Sequence, residues 1–256
     1  MKDVLIIMSD NRQLDDFASC DYNSLAAFIN YKYCERKNYK FLYFRPHNNF
    51  DFGINNCYSP SGKLRHSAWA KILSTILATK KNNDYIFYID SDCIFNNHDL
   101  NVESYFTNLP KITNNKIDES NLFFLNDKPW HPDAPCSGFF YLKNNSKSIN
   151  LLKDWYYIDD IEDEQFNLKH CWEQWSLYKL IKKNENQITI FDDDMFLDVF
   201  PHQFLRHIGT HEKHLRIPFF KKKITDLGFD NYDYNEFLTK QKEFVIEYNT
   251  NFIFNL

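Results

Sequence analysis

Apolar residues along this chain fall into two kinds of run, which predict alternating strands and helices in its first half. The apolar runs Val4 to Met8 and Tyr85 to Ile89 are typical of strands buried on both faces, and Lys40 to Phe44, apolar after its lysine, also predicts a strand. Between them, residues 24–36 and 64–79 carry apolar side chains at helical spacing. This order implies parallel strands joined by right-handed crossovers, and hence an α/β fold whose mainly parallel sheet is flanked by helices.

Shorter patterns continue the series through the second half of the chain. They predict strands at 122–125, 138–142, 188–191 and 204–207, and helices at 147–157, 172–183 and 233–247. Residues 126–137 hold three prolines and are expected to form a loop. We expect one domain over residues 1–220, with residues 221–256 as a C-terminal helical extension packed on it.

Net charge, cysteine spacing and the N-terminal residues limit the partners and the location that we expect for this protein. The 256 residues carry a formal net charge of -5, which disfavours nucleic acid or an anionic membrane as the main partner. The six cysteines show no CxxC pair or regular spacing, so reduced thiols are expected. Residues 1–8 are too short an apolar stretch for a signal peptide or membrane anchor, so we expect no membrane span and a cytoplasmic location.

Two carboxylates, Asp90 and Asp92, follow the predicted strand Tyr85 to Ile89, with Ser91 between them. Sheets of this kind bind ligands at the carboxyl ends of their strands. Two ionised aspartates at such a place repel each other and lose solvation, so a divalent cation is the natural compensation. Oxygen ligands favour Mg²⁺ or Mn²⁺. The alternative is a solvated acidic turn, which is common after strands, so the strand context carries the inference.

Basic residues stand on both sides of this motif in the sequence. Arg65 and Lys71 are expected on the preceding helix, where they could face a phosphate group or simply be solvated. Residues 207–216 hold three histidines, a lysine and an arginine around one glycine, after a predicted strand. An imidazole of this segment could bind a metal, while Lys213 and Arg216 could neutralise a departing diphosphate. The alternatives are an exposed basic loop and a core histidine whose hydrogen bonds are satisfied.

Two further pairs are candidates for contact with a ligand. Gly138, which follows Ser137, permits close approach of a ligand to the backbone, although an ordinary turn fits equally well. Glu173 and Gln174 open a predicted helix and offer a carboxylate and an amide to sugar hydroxyls. For the glutamate, stabilisation of the helix dipole is the plain alternative.

Taken in order, these pieces resemble the GT-A glycosyltransferases, and most closely the family of α-galactosyl-, α-xylosyl- and α-mannosyltransferases with a DxD motif. The likeness spans roughly residues 60–210. It rests on Trp69 to Ile72, Tyr88 to Phe95, Ser137 to Asn144, Glu173 with Gln174, and the strand end at His207.

The resemblance implies a Rossmann-like fold and a metal-dependent enzyme that moves a hexose or pentose from a nucleotide-diphosphate sugar, with retention. It implies a UDP-sugar donor in preference to a GDP-sugar, and a glycan, glycoprotein or small-molecule acceptor. Mn²⁺ (or Mg²⁺) would be held by Asp90, Asp92 and His207, with His211 as the alternative third ligand. Glu173 and Gln174 would be the catalytic residues. The other implied substrate contacts are Ser9, Asp10, Arg65, Lys71, Ser91, Trp130, His131, Ser137, Gly138 and Lys213.

Two other functions stay open. A sugar nucleotidyltransferase also uses a metal-binding acidic pair, but it would need a glycine-rich basic loop after the first strand, and residues 9–13 contain no glycine. A catalytically inactive sugar- or nucleotide-binding module could keep the same fold. Metal-dependent binding without turnover would indicate that module.

Overall fold

The computed structural model describes residues 3–47, 56–114, 116–128, 130–158, 172–193, 203–209 and 214–250. Within these ranges the strands are β1 Val4–Ser9, β2 Lys40–His47, β3 Asn56–Tyr58, β4 Leu64–His66, β5 Tyr85–Ile89, β6 Cys93–Phe95, β7 Leu122–Asp127, β8 His131–Lys143, β9 Ile188–Phe191, β10 Leu205–His207 and β11 Val245–Asn249. The helices are α1 Tyr22–Lys37, α2 Ala70–Ala78, α3 Val102–Asn108, α4 Ser146–Tyr157, α5 Trp172–Lys183, α6 Arg216–Asp226, α7 Asn231–Thr239 and α8 Gln241–Phe244.

A central sheet in the order β11-β2-β1-β5-β8-β7-β9 organises the described residues. Strand β8 is antiparallel to both of its neighbours, and the other pairings are parallel. The predicted α/β class with a mainly parallel sheet is therefore confirmed. Two smaller pairs, β10 with β6 and β3 with β4, lie outside this sheet.

Alternate residues of the strands belong to two apolar layers, one on each face of the sheet. Val4, Ile6 and Met8 pack with α1, α6 and α7, whereas Leu5 and Ile7 pack with α2, α4 and α5. Both sets are buried, which explains the continuous apolar runs of the strands. Strand β5 spans the predicted residues and directs its carboxyl end toward Asp90.

The helix predicted over 64–79 was wrong in its first part. Leu64–His66 forms β4, paired antiparallel with β3, and a short 3-10 turn at 67–69 leads into α2. Arg65 is thus on a strand, not a helix, and its side chain is fully buried. Apolar residues before and after the turn happen to be spaced as in a helix, although the backbone of residues 64–69 is not α-helical.

The loop predicted over 126–137 was also wrong, because β7 continues to Asp127 and β8 begins at His131. Register shifts beside Leu125 and Asp127 interrupt their pairing. Such irregular pairing tolerates prolines, which cannot donate a ladder hydrogen bond.

At the C-terminal end, the helix predicted over 233–247 is two helices followed by β11, which pairs in parallel with β2 at the sheet edge. Because β11 is stabilised by a strand far away in the sequence, its own residues show no clear strand or helix pattern. Helix α6 runs across residue 220, and the division of the chain into 1–220 and 221–256 stays a prediction. In the ranges given above, we find no helix of the length and apolarity that crossing a membrane requires.

Candidate metal and donor site

Three separate segments converge at the carboxyl end of β5. The backbone N–H of Asp90 donates to the carbonyl of Gly138, at 2.8 Å, which ties the end of β5 to β8. The N–H of Ile208 donates to the carbonyl of Asp92, at 2.9 Å, and β10 places His207 opposite Cys93 of β6. The backbone pairing therefore brings both aspartates and the histidine to one place.

The side chains of Asp90, Asp92 and His207 offer ligand atoms that all lie within 4.8 Å of one another. Two carboxylates and an imidazole form a donor set that suits Mn²⁺, and the carboxylates also suit Mg²⁺. The side chains of the two aspartates are 23% and 16% exposed, so a cation between them would be reachable from solvent. The residues present fit the metal that the sequence implies.

Asp90 is held on both of its carboxylate oxygens. The Tyr88 hydroxyl donates to Oδ1 at 2.7 Å, and the Lys71 ammonium donates to Oδ2 at 3.0 Å. Burial raises the pKa of Asp90 above its ordinary value; Lys71 opposes this shift and the charge of Asp92 adds to it.

Asp92 is held by two cations. Nε2 of His207 lies 2.9 Å from Oδ1, and the Arg216 guanidinium donates to Oδ2. Burial alone would raise the pKa of Asp92, but His207 and Arg216 outweigh it and lower the pKa to about 2. Burial likewise opposes protonation of His207, yet Asp92 raises its pKa to about 10. Asp92 and His207 therefore each stabilise the charged form of the other.

Gly138 borders this cluster closely. A Cβ built on Gly138 would lie 2.7 Å from Cε1 and 3.0 Å from Nδ1 of His207, and 3.4 Å from Oδ2 of Asp90. Contacts under 3.0 Å are not tolerated by real Cβ atoms, so any side chain here would displace the imidazole. A glycine is required because the strand passes directly behind the candidate ligands.

A buried ion pair lies behind Asp90. The Lys71 ammonium is 2.7 Å from Oε1 of Glu173, and the two side chains are 5% and 3% exposed. Burial alone would lower the pKa of Lys71, but Asp90 and Glu173 together raise it. Trp155 fixes the start of α5 by donating from its indole to the Glu173 carbonyl at 2.9 Å. Lys71 therefore joins one candidate metal ligand to one predicted catalytic residue.

Ser137 connects this pair to Gln174. Its hydroxyl lies 2.8 Å from Oε1 of Glu173 and 3.2 Å from Oε1 of Gln174. The backbone N–H of Ser137 also donates to Oε1 of Gln174, at 3.3 Å. On its other side, Gln174 donates from Nε2 to Oδ2 of Asp127, at 2.9 Å. The amide therefore lies between β8 and the end of β7.

The predicted residues at the end of β1 lie beside a second set of charges. Ser9 accepts a hydrogen bond from the Ser74 hydroxyl at 2.8 Å, while Asp10 accepts two from the guanidinium of Arg12, at 2.8 and 2.6 Å. The guanidinium carbon of Arg12 is 4.2 Å from the Tyr22 ring centroid, and that of Arg216 is 4.4 Å from it. Tyr22 thus bridges the β1 end to the Arg216–Asp92 pair.

Not every predicted residue joins the cluster. Arg65 packs its guanidinium 3.9 Å from the Trp69 ring and donates to the Tyr156 carbonyl at 2.7 Å, deep in the core. Trp130 and His131 are exposed at the start of β8, and Ser91 is half-buried in the turn between the two aspartates. Lys213 and the alternative ligand His211 lie outside the described residues.

Sequence reasoning missed two residues of this site, Tyr88 and Asp127. Tyr88 stood within an apolar strand and was counted as core, although a tyrosine two positions before an aspartate can turn its hydroxyl toward it. Asp127 stood in a predicted loop. The only signal for it was the acidic residue following the apolar run 122–125.

Comparison with known proteins bears on the fold. No protein-family model matches the sequence, and no curated protein matches it. Among solved structures, a glycosyltransferase involved in the glycosylation of the major capsid of PBCV-1 matches at a TM-score of 0.62 and 12% identity, over 86% of this chain and 99% of that chain. GlyE, a glycosyltransferase of Streptococcus pneumoniae TIGR4, matches at 0.51 and 14% identity, over 94% of this chain and 64% of that chain. This chain has the GT-A glycosyltransferase fold.

Proposed function

We propose that this protein is a metal-dependent glycosyltransferase, which moves a hexose or pentose from a UDP-sugar to an acceptor hydroxyl with retention of anomeric configuration. The observation that carries the proposal is the convergence of Asp90 and Asp92, from the turn after β5, with His207, from the distant strand β10. A fold shared with two glycosyltransferases supports it.

The metal is Mn²⁺ or Mg²⁺, held by Asp90, Asp92 and His207. When bound, the cation supplies positive charge against the diphosphate of the donor. The protein prepares this position in advance: Tyr88 and Lys71 orient Asp90, and Arg216 orients Asp92. Preorganised groups cost little reorganisation when the ligand arrives.

At the sugar end, the two predicted catalytic residues divide their tasks. Glu173 is 3% exposed and bound to Lys71, so it holds the lysine against Asp90. Gln174 is only half-buried, and we assign its amide to the transferred sugar. The acceptor hydroxyl approaches on the face from which the phosphate departs, and a phosphate oxygen takes its proton. No strong protein base is then needed.

The alternatives are less well supported. The glycine-rich loop of a sugar nucleotidyltransferase is missing here, because Ser9, the last residue of β1, is followed by Asp-Asn-Arg-Gln. An inactive binding module has no reason to keep a buried lysine between a candidate metal ligand and a glutamate, since burying charge is costly. A cytoplasmic location and the kind of acceptor stay predictions.

A screen of nucleotide sugars tests the proposal. UDP-galactose, UDP-glucose, UDP-xylose and GDP-mannose are added with and without Mn²⁺, and melting temperature and release of the nucleoside diphosphate are measured. Ligands that bind the native state raise the melting temperature. We expect a Mn²⁺-dependent rise and diphosphate release with a UDP-sugar. A rise without release would indicate the binding module, and no rise with any donor would contradict the proposal.

A further inference from the structure

Asp127 has no role in the reaction proposed above, yet it contacts Gln174, which has one. It is the last residue of β7, it is 7% exposed, and its Oδ2 accepts a hydrogen bond from Nε2 of Gln174 at 2.9 Å. The two residues are 47 positions apart in sequence. The folded sheet therefore brings a buried carboxylate behind the amide that we assign to the sugar.

This contact determines which end of the Gln174 amide points which way. An ionised carboxylate can only accept hydrogen bonds, so the amide must turn its NH₂ group toward Asp127. The backbone N–H of Ser137 can only donate, so the amide must turn Oε1 toward Ser137. The two partners demand the same orientation.

Oε1 of Gln174 keeps capacity for a further interaction. The Ser137 hydroxyl has one proton, and its contact with Glu173, at 2.8 Å, is shorter than its contact with Gln174, at 3.2 Å. Among the described residues, the other donor to this oxygen is the Ser137 N–H, at 3.3 Å, near the long limit for a hydrogen bond. Oε1 of Gln174 is therefore held in a fixed direction but can still interact with a further positive group.

We propose that Asp127 is a positioning residue that polarises the Gln174 amide, so that Oε1 stabilises the positive charge that develops at the anomeric carbon of the transferred sugar. The inference rests on the proposed function. A carboxylate that accepts from the NH₂ end of an amide draws electron density toward the carbonyl oxygen. In a partly buried site such polarisation is stronger than in water.

The matched test compares Asp127→Asn with Asp192→Asn. In Asp127→Asn the new side chain keeps the shape and can still accept from Gln174 through its amide oxygen, but it carries no charge. Asp192 is a nearby carboxylate that accepts from Asn126 at 3.0 Å and is not bound to Gln174 by any contact described above. With UDP-galactose, UDP-glucose or UDP-xylose and Mn²⁺, kcat and KM for UDP release to water are measured, along with the melting temperature.

For Asp127→Asn we expect kcat to fall by about 10-fold to 100-fold, with the donor KM and the melting temperature nearly unchanged. Asp192→Asn should leave kcat as in the wild type. A purely structural role would instead lower the melting temperature and would not separate kcat from KM.

A double-mutant cycle shows whether Asp127 acts through Gln174. Gln174→Met removes the amide at similar volume and should lower kcat at least as much as Asp127→Asn does. Adding Asp127→Asn to Gln174→Met should then cost nothing further. If Asp127→Asn does not fold, the Gln174→Met arm decides alone, because an unchanged kcat there overturns the inference.

The failure of this inference is distinguishable from that of the proposed function. Wild-type protein that releases UDP with Mn²⁺, together with Asp127→Asn that releases it equally fast, overturns only the role of Asp127. Wild-type protein that neither binds nor turns over any of the three UDP-sugars overturns both.

Discussion

Gly138 and His207 approach so closely that a Cβ on the glycine would lie 2.7 Å from Cε1 of the imidazole. We therefore expect Gly138→Ala to displace His207 from Asp92. Metal affinity should fall at least about 10-fold, and the free energy of unfolding should fall by about 1–3 kcal/mol, as for an overpacked core. Mn²⁺ titration followed by electron paramagnetic resonance, and urea unfolding, measure the two effects.

A second variant separates steric displacement from other damage. His207→Ala removes the obstructing ring, so adding Gly138→Ala to it should cost much less stability than Gly138→Ala does alone. Wild-type Mn²⁺ affinity in Gly138→Ala would contradict the role assigned to this contact.

The buried pair of Lys71 and Glu173 should be a strong determinant of stability. Lys71→Met leaves the partly exposed carboxylate of Asp90 and the buried one of Glu173 without their shared cation, so we expect a loss of about 3–5 kcal/mol in urea unfolding. The double variant Lys71→Met/Glu173→Gln should lose less than the single one, because one uncompensated charge is gone.

An exposed pair provides the control for that measurement. Lys222 and Asp226 pair at 2.6 Å on the surface of α6, with side chains 75% and 50% exposed. Asp226→Asn should cost no more than about 0.5 kcal/mol. Equal effects of Lys71→Met and Asp226→Asn would show that the buried network contributes little.

His98 should make stability depend on pH. It is 2% exposed, and burial, reinforced by the charges of Arg36 and Lys223, lowers its pKa to about 3. The unfolded chain, with an ordinary histidine pKa near 6.5, binds the proton more readily. The contribution of neutral His98 is therefore present above pH 6.5 and is lost as pH falls toward 3, by at most about 1.4 kcal/mol per pH unit.

The variant His98→Phe has no side chain that can be protonated at this position. The difference in unfolding free energy between wild type and His98→Phe should therefore decrease as pH falls below 6.5. Ile224→Val, in the apolar layer that contains Tyr33, a ring neighbour of His98, should change stability by an offset of about 1 kcal/mol that does not vary with pH. A difference for His98→Phe that is constant from pH 7 to 4 would contradict the burial argument.

Sequence patterns predicted those elements whose burial is continuous. Strands β5 and β9 match their predicted residues, because a short run of buried and almost entirely apolar residues leaves little ambiguity. The patterns failed at Leu64–His66, a three-residue strand in a hairpin with β3, and at Val245–Asn249, which pairs with the distant strand β2. Local periodicity does not report such pairings.

The candidate site divides in the same way. A strand that ends in two aspartates can be recognised from the local sequence, and the family resemblance added His207 as the third candidate ligand. The contacts of Lys71 with Glu173 and of Gln174 with Asp127 could not be predicted, because they depend on the register of β8 and on where α5 begins. Those contacts follow from packing between distant segments and became visible only in the folded chain.

Calorimetric titration of UDP into the wild type and into Asp92→Asn, each with and without Mn²⁺, tests the central claim most directly. Asp226→Asn serves as a control, since it also removes one carboxylate but on the exposed surface of α6. The account predicts UDP binding by the wild type and by Asp226→Asn that requires Mn²⁺, and a loss of about 100-fold or more in Asp92→Asn. Equal Mn²⁺-dependent UDP affinity in Asp92→Asn and wild type would contradict a metal and donor site at Asp90, Asp92 and His207.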